Sequence, residues 1–308
     1  MSNNITKWID SLSIVQRTKF YLRSISPWGV EGMNLYDVLR FFVLGLINGS
    51  VSIRAASISY KLLLAFFPAM ILLLSVLPHT PLKTNDVLDA LLLFFPGETV
   101  SLLELTINDL LEKSHVSILS IGFVLTAFYA SNSVNAILTG FNASYLLEKK
   151  GSTLLYYLIS LLLLVILVVM LGLAVLLIGF SGHVLTWLSH NDWLPGELVP
   201  WLNIVRWTLS LILVYFSVSI LYHFGNSERD KWRTFTPGAT MTTILIVLLS
   251  LGCGAFITYL ESYNRLYGSL GSFLLLLVWI NANSSILLLG FEFNVSVHKA
   301  RNEAKSNL

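Results

Sequence analysis

Six long apolar segments constrain the fold of this chain more than any other feature of its sequence. A helix that crosses a bilayer needs about 20 predominantly apolar residues. Six segments reach that length: Ser52–Leu77, His115–Leu138, Ser152–Phe180, Pro200–Tyr222, Pro237–Leu260 and Ser269–Val295. Only 12% of all residues are charged, whereas soluble domains carry roughly 25%. The sequence therefore predicts an all-α, polytopic membrane protein with six transmembrane helices.

Two shorter stretches before the first span have the pattern of surface helices. Apolar residues recur at helical spacing between Ile5 and Val15, with basic residues around and after them. The segment Tyr36–Ile47 is apolar but too short to span, and Arg40 interrupts it. Both patterns are typical of amphipathic helices that lie at a membrane surface. We therefore assign residues 1–50 to amphipathic helices on the cytoplasmic side.

The long loop after the first span is also patterned. Within residues 78–114, apolar positions recur at helical spacing among acidic residues, and Pro96-Gly97 interrupts the pattern. This predicts two external amphipathic helices, which either cap the helix ends or form a lid over a cavity. The expected division is a transmembrane domain over 51–297, which includes this loop, and a cytoplasmic tail over 298–308.

Basic residues between the spans predict the orientation of the chain, because Lys and Arg concentrate in cytoplasmic loops. They occur before the first span and after the second, fourth and sixth, at Lys7, Arg17, Lys19, Arg23, Arg40, Lys149, Lys150, Arg229, Lys231, Arg233, Lys299, Arg301 and Lys305. The intervening loop 182–199 contains no basic residue. Both termini are therefore expected in the cytoplasm.

The sixth span carries polar residues where hydrocarbon would be expected. At about 100° per residue, four of them fall within one stripe: Asn281, Ser284, Ser285 and Glu292. Asn283 and Asn294 point elsewhere. A polar group without a partner is costly in hydrocarbon, so this stripe is expected to face other helices or water.

The first two spans carry similar polar faces. The second span has four polar residues at a spacing of three to four: Asn132, Asn135, Thr139 and Asn142. The first has Arg54 and Lys61 on one side, and Pro68 near its middle is expected to kink the helix. Together these polar residues either line a cavity or form hydrogen bonds between packed helices.

Matched depths predict an ion pair. Arg54 lies near the start of the first span and Glu292 near the end of the sixth, so both lie near the inner membrane edge. A carboxylate at a helix C-terminus opposes the helix dipole and favours a cationic partner. Glu292 is therefore expected to pair with Arg54, or with Lys61 if the first helix sits further in.

Other chemistries lack their sequence signatures. The single cysteine, Cys253, excludes a disulfide and a cysteine-based metal site. The histidines form no recognisable metal-binding pair, and no phosphate-binding loop or nucleophile motif is present. No basic patch with interleaved aromatic residues indicates nucleic acid. We therefore expect no enzymatic activity, no metal, no cofactor and no nucleic-acid partner.

Two stretches resemble the signatures of the YihY-like, or BrkB, family of bacterial inner-membrane proteins. The first is "RAASISYKLLLAFFPAMILLL", from Arg54 to Leu74, and the second is "YGSLGSFLLLLVWINANSSILLLGFEFN", from Tyr267 to Asn294. The residues that carry the resemblance are Tyr60, Pro68, Asn142, Tyr267, Gly268, Leu270, Gly271, Trp279, Leu289, Gly290 and Glu292. Lys61 departs from the pattern, which has an uncharged residue at this position.

The resemblance implies six helices, a bacterial inner-membrane location and a role in the cell envelope. Together with the polar faces and the interrupted first helix, it favours a transporter or flippase-like protein for a lipid or lipid-linked envelope component. The alternatives are an ion-coupled transporter of a small solute, with Glu292 as the coupled group, and a scaffold that transports nothing. Membrane lipids are the expected partners; a homo-oligomer and protein partners stay open.

Overall fold

The computed structural model describes residues 35–76, 116–147, 153–190, 198–226, 235–259 and 261–306. Every regular element within these ranges is an α-helix: α1 Leu35–Asn48, α2 Val51–Val76, α3 Val116–Asn142, α4 Thr153–His190, α5 Val199–Gly225, α6 Pro237–Tyr259 and α7 Glu261–Ser306. The amphipathic segment 5–15 and the external loop 78–114 lie outside the described residues, so their expected helices and the proposed domain division stay predictions.

Apolar length identifies the membrane-spanning helices. Within the described ranges, five helices contain a stretch long and apolar enough to cross a bilayer: Val51–Ala69, Ile121–Asn142, Tyr157–Ala174, Val199–Gly225 and Phe273–Arg301. The apolar part of α6, Pro237–Cys253, is shorter. The all-α polytopic architecture is therefore confirmed, whereas the exact number of six spans stays a prediction.

Several helices continue beyond the apolar segments that predicted them. The predicted sixth span, Ser269–Val295, lies inside α7, whose 46 residues correspond to about 69 Å of helix. The hydrocarbon core is only about 30 Å thick, so α7 is much longer than a span requires. The segment 298–306, expected as a tail, is its last part. Hydropathy reports only where a helix is apolar, and no proline after Ser269 interrupts α7.

The long helices form a ring. Each helix from α2 to α6 packs against the next one along the chain, and α7 packs back against α2. α3 also contacts α5 and α7, and α1 packs against α7. The first turn of α2 lies beside the last turn of α3, since an Arg54 side chain reaches the Gly140 carbonyl. These two helices are therefore antiparallel.

Packing is tightest at one end of this ring, which we call the Arg54 end. There the buried ring of Phe141 stacks on that of Phe291 with centroids 4.3 Å apart, and Tyr222 contacts both rings edge-on. This cluster joins α3, α5 and α7. Toward the opposite end, large apolar side chains are exposed on α2, α3, α5, α6 and α7, among them Phe67, Phe123, Ile204, Leu248 and Leu274.

The start of α6 is attached to α7 by polar contacts. Thr236 precedes Pro237 at the first helical position, and its hydroxyl accepts a hydrogen bond from the amide of Ala239 at 3.3 Å. This is an N-cap arrangement. Asn294 of α7 accepts a bond from the Gly238 amide at 2.7 Å and donates one to the Thr236 hydroxyl at 3.0 Å. Asn294 thus satisfies an amide that the helix itself leaves without a partner.

Candidate functional site

A buried ion pair lies at the Arg54 end. One guanidinium nitrogen of Arg54, Nη2, lies 2.5 Å from Oε1 of Glu292. The Arg54 side chain is 10% exposed and that of Glu292 is 0% exposed. The pairing expected from matched depths is therefore present, with Arg54 rather than Lys61 as the partner. The contact joins α2 to α7.

Further hydrogen bonds hold both charged groups in place. The second guanidinium nitrogen of Arg54, Nη1, donates to the Gly140 carbonyl at 2.7 Å. The Ser144 hydroxyl donates to Oε2 of Glu292 at 2.7 Å. Both additional partners come from the end of α3 and the turn after it. Because a buried charge is costly unless it is paired and hydrogen-bonded, this network explains how Glu292 is buried.

The expected role of the helix dipole is wrong. α7 continues through Ser306, so Glu292 lies inside the helix rather than at its C-terminus. The helix dipole acts within the last turn, so it does not select the partner of Glu292. Burial and hydrogen bonding account for the pair instead.

Two glycines let α1 lie directly over the ion pair. A Cβ added to Gly45 would lie 3.0 Å from Oε2 of Glu292, and one added to Gly49 would lie 2.8 Å from Nη2 of Arg54. Gly49 and Ser50 form the turn into α2, and Ser50 has φ of 48°, in the left-handed region. The first described helix thus covers the pair.

Lys61 lies about two helical turns away from this pair along α2. It is seven residues after Arg54 on the same side of α2, which places it about 10 Å further along the helix. Its side chain is half-buried and forms no hydrogen bond or ion pair with the described part of the chain. Its backbone carbonyl accepts a bond from the Ser133 hydroxyl at 2.7 Å, which fixes α2 beside α3 at this depth.

The polar stripe predicted on α7 does not form one buried surface. Ser284 and Glu292 are buried, whereas Asn281 is exposed and Ser285 is only partly buried. The Asn281 amide nevertheless donates to the Ser59 hydroxyl of α2 at 3.3 Å. The hydroxyl groups of Ser284 and Ser285 instead bond to backbone carbonyls of α7 itself. Helical spacing identifies a common side of the helix but not how deeply neighbouring helices cover it.

The polar face of α3 does not join the ion pair. Asn132 and Asn135 form no hydrogen bond with Arg54, Lys61 or Glu292 within the described ranges. Ser133, whose hydroxyl bonds to α2, lies about 160° around the helix from Asn135. The structure therefore separates the predicted polar residues into a group between α2 and α7 and a second group on another side of α3.

Spacing alone did not identify a second polar contact, at Tyr222. The Tyr222 hydroxyl donates to the Leu287 carbonyl at 2.8 Å and lies 2.6 Å from the Thr242 hydroxyl. A phenol has a single proton, so Thr242 is the donor in the second bond. The residues tie α5 and α6 to α7. The only signal in the sequence is that a tyrosine and a threonine occur inside apolar spans.

Replacing Tyr222 by Phe is expected to lower the free energy of unfolding by about 1–3 kcal/mol, because it leaves the buried Thr242 hydroxyl without its acceptor. The measurement is the apparent melting temperature in detergent. Tyr60→Phe is the matched control, since Tyr60 is exposed on α2. Equal melting temperatures for the two variants would contradict a stabilising role for this contact.

The residues that carry the family resemblance occupy different environments. Gly290 is buried where α7 meets α6, and Pro68 lies inside α2, although the predicted kink stays a prediction. Tyr60 and Trp279 are exposed. The residues Tyr267, Gly268 and Gly271 belong to α7. Asn142 is the last residue of α3.

Metal chemistry has no candidate site in the described part of the chain, where no group of three or more His, Cys, Asp or Glu side chains is placed to hold an ion. The polar groups that the structure places in this region are the buried ion pair, the half-buried Lys61 and the neutral amides. Such groups can bind and release an anion or hold helices together.

Comparison with known proteins places the chain in a family. The family described as "Virulence factor BrkB" matches residues 45–308. The Bacillus subtilis (strain 168) protein named "Putative ribonuclease-like protein YfkH" is 27% identical over 80% of this chain and 90% of its own length. The UPF0761 membrane protein VP0125 of Vibrio parahaemolyticus is 26% identical over 84% of this chain and 81% of its own.

A third relative, the UPF0761 membrane protein PSHAa0171 of Pseudoalteromonas translucida, is 20% identical over 92% of this chain and 89% of its own length. No solved structure matches the chain. The family match covers all six helices from α2 to α7 and the end of α1, including the ion pair and the covering glycines. The chain is therefore a multi-pass membrane protein that belongs to the virulence factor BrkB family.

Proposed function

We propose that the protein moves an anionic amphipathic substrate, a lipid or lipid-linked envelope component, across the bacterial inner membrane. The observation that carries this proposal is the environment of Lys61. A lysine inside a membrane span is costly unless it is paired or reaches water, and such residues commonly mark substrate pathways. Arg54 on the same helix is paired with the carboxylate of Glu292, whereas the Lys61 side chain has no partner in the described ranges.

The surroundings of Lys61 favour access from the lipid. Ile58 is buried against the bundle, whereas Ser57 and Tyr60 are exposed on the other side of α2. Lys61 thus lies at the border between packed helix and bilayer. An anionic head group can approach its ammonium group from this border while the acyl chains stay in hydrocarbon. A small hydrophilic solute would gain nothing from such lateral access.

The ion pair closes the Arg54 end in this proposal. Arg54, Glu292 and the covering helix α1 lie between Lys61 and that end of the bundle. A substrate that passes from Lys61 to this end requires the Arg54–Glu292 contact to open. Glu292 is fully buried and bonded on both oxygens, which favours a role in closure over a role in binding a coupling ion.

The distribution of basic residues supports an orientation with the Arg54 end toward the cytoplasm. Arg40, Lys299 and Arg301 are described residues at this end, close in sequence to the ion pair. Basic residues concentrate on the cytoplasmic side of membrane proteins. In the proposed orientation both termini are cytoplasmic, and the exposed apolar side chains of Phe67, Phe123 and Leu274 lie toward the outer leaflet.

Replacement of Lys61 by Gln tests the proposal. Purified protein is reconstituted into liposomes that contain a fluorescent phosphatidylglycerol or phosphatidylcholine, and quenching of outer-leaflet dye reports movement between leaflets. We expect the wild type to move phosphatidylglycerol and Lys61→Gln to do so about tenfold more slowly, since tenfold corresponds to only about 1.4 kcal/mol of head-group interaction.

Lys61→Arg is the matched control, because it retains the positive charge and should retain most of the rate. Equal rates for wild type, Lys61→Gln and empty liposomes would contradict lipid movement. If no lipid moved but Lys61-dependent uptake of inorganic phosphate were observed, the substrate would be a small anion, and the lipid assignment would be wrong.

A further inference from the structure

One side of α3 carries a stripe of residues with alternating spacings of four and three. We call it the α3 stripe, and it consists of Ile121, Leu125, Phe128, Asn132, Asn135, Thr139 and Asn142. This period of 3.5 residues is that of the seam along which two helices pack side by side. Its three apolar members are all exposed: Ile121 is 62%, Leu125 42% and Phe128 55% accessible.

Near the Arg54 end, the α3 stripe is the only side of this described segment that neighbouring helices leave accessible. Between Ser131 and Phe141, every residue is buried except Asn132, Asn135 and Thr139, which all belong to the stripe. The buried side of the same segment is formed by apolar and small residues. This arrangement is the reverse of that expected for a helix that faces lipid, where the apolar residues point outward and the polar ones inward.

The polar groups of the stripe are only partly satisfied. Oδ1 of Asn135 is buried without a hydrogen-bond partner, and the Asn132 side chain has none among the described residues. The depth is within the membrane, because the neighbouring Ser133 bonds to Lys61 about 10 Å from Arg54 along α2. An amide without a partner in hydrocarbon costs far more than one that faces water.

We infer that α3 pairs with α3 of a second copy of this chain along the α3 stripe, forming a dimer with twofold symmetry about the membrane normal. Both copies insert in the same orientation, so the two helices run parallel and like residues meet. A side-chain amide is both donor and acceptor, so the accessible Asn132 can bond to Asn132 of the other copy.

The spacing and the residue types favour a helix as the occupant of this stripe over a lipid head group. A polar residue at a core position of a parallel helix pair selects the register and the number of helices. Asn132 and Asn135 occupy such positions. The outer half of the stripe is apolar, so a head group would find polar partners along only part of the membrane, whereas a second α3 packs against the whole stripe.

Cysteine cross-linking tests the interface in native membranes. The natural Cys253 is first replaced by Ser, and single cysteines are then introduced as Leu125→Cys or Phe123→Cys. Both side chains are exposed and lie about 3 Å apart along the helix axis, but about 200° apart around it. Copper-phenanthroline oxidation should convert most of Leu125→Cys to a disulfide-linked dimer and leave Phe123→Cys monomeric. Thr139→Cys should behave like Leu125→Cys.

Equal cross-linking of Leu125→Cys and Phe123→Cys, or none from either, would overturn the interface. The mass of the purified protein gives an independent readout. The wild type should have twice the 34.4 kDa of one chain, and the double variant Asn132→Leu/Asn135→Leu should shift toward the monomer while keeping a single elution peak. A monomeric wild type with a bound lipid that is lost in this variant would assign the stripe to a head group instead.

Discussion

Glu292→Gln is expected to lower the free energy of unfolding by about 3–5 kcal/mol, because removal of one partner from a buried pair leaves the other charge uncompensated. In this protein the group that loses its counter-charge is the guanidinium of Arg54, whose side chain is 10% exposed. It keeps the Gly140 carbonyl as an acceptor, and the neutral amide oxygen of the introduced glutamine does not compensate its charge. The apparent melting temperature in a mild detergent and the denaturant concentration at half-unfolding should both fall.

Two further variants separate the charge effect from a general sensitivity of the bundle. Arg54→Met/Glu292→Leu removes both charges and should recover much of the lost stability, since apolar replacement of a buried pair is often neutral. Arg40→Gln removes an exposed charge from α1 and should change the stability by no more than about 0.5 kcal/mol. If Glu292→Gln melted at the same temperature as Arg40→Gln, the ion pair would not stabilise the fold.

Gly290→Ala is the second substitution for which a large effect is expected. An added Cβ at this position would overlap the hydroxyl groups of Thr242 and Tyr222 and lie 2.9 Å from the Gly238 carbonyl. Relief of this overlap requires α6 and α7 to separate, which also lengthens the bond between Tyr222 and Thr242. Overpacking of this kind costs about 1–3 kcal/mol, and loss of the hydroxyl contact adds to it.

Two other glycines supply matched controls for Gly290. A Cβ added to Gly172 in α4 or to Gly252 in α6 would have no atom within 4 Å. Alanine at either position should leave the melting temperature unchanged or raise it, because glycine inside a helix costs roughly 0.5–1 kcal/mol relative to alanine. Similar losses for Gly290→Ala and Gly172→Ala would show that close helix contact at Gly290 is not the cause.

The three parts of the molecule can be tested independently. The ion pair is tested by stability, Lys61 by movement of lipid, and the α3 stripe by cross-linking. Lys61 lies on the Arg54 side of α2, whereas the residues of the α3 stripe lie about 80–180° around α3 from Ser133, whose hydroxyl bonds to α2. A dimer through α3 therefore leaves Lys61 accessible from its own side of α2.

Some tertiary contacts could be predicted from the sequence because the depth of a residue in the membrane follows from its position along its span. The length of the apolar segments places the helices, and the alternation of basic loops gives adjacent spans opposite directions. Arg54 and Glu292 then reach the same depth, and a buried charge requires a counter-charge. These two constraints predicted a partner for Glu292 on the first span, either Arg54 or Lys61, and the structure contains the pair with Arg54.

Only the tertiary structure decided which helices are neighbours and how close they come. Helical spacing specifies the side of a helix on which a residue lies, but the identity of the neighbour depends on packing of the whole ring. The contribution of Ser144, the bond from Thr242 to Tyr222 and the close contact at Gly290 all depend on that choice. The same limit explains why Asn281 and Glu292, on one predicted stripe, differ so much in burial.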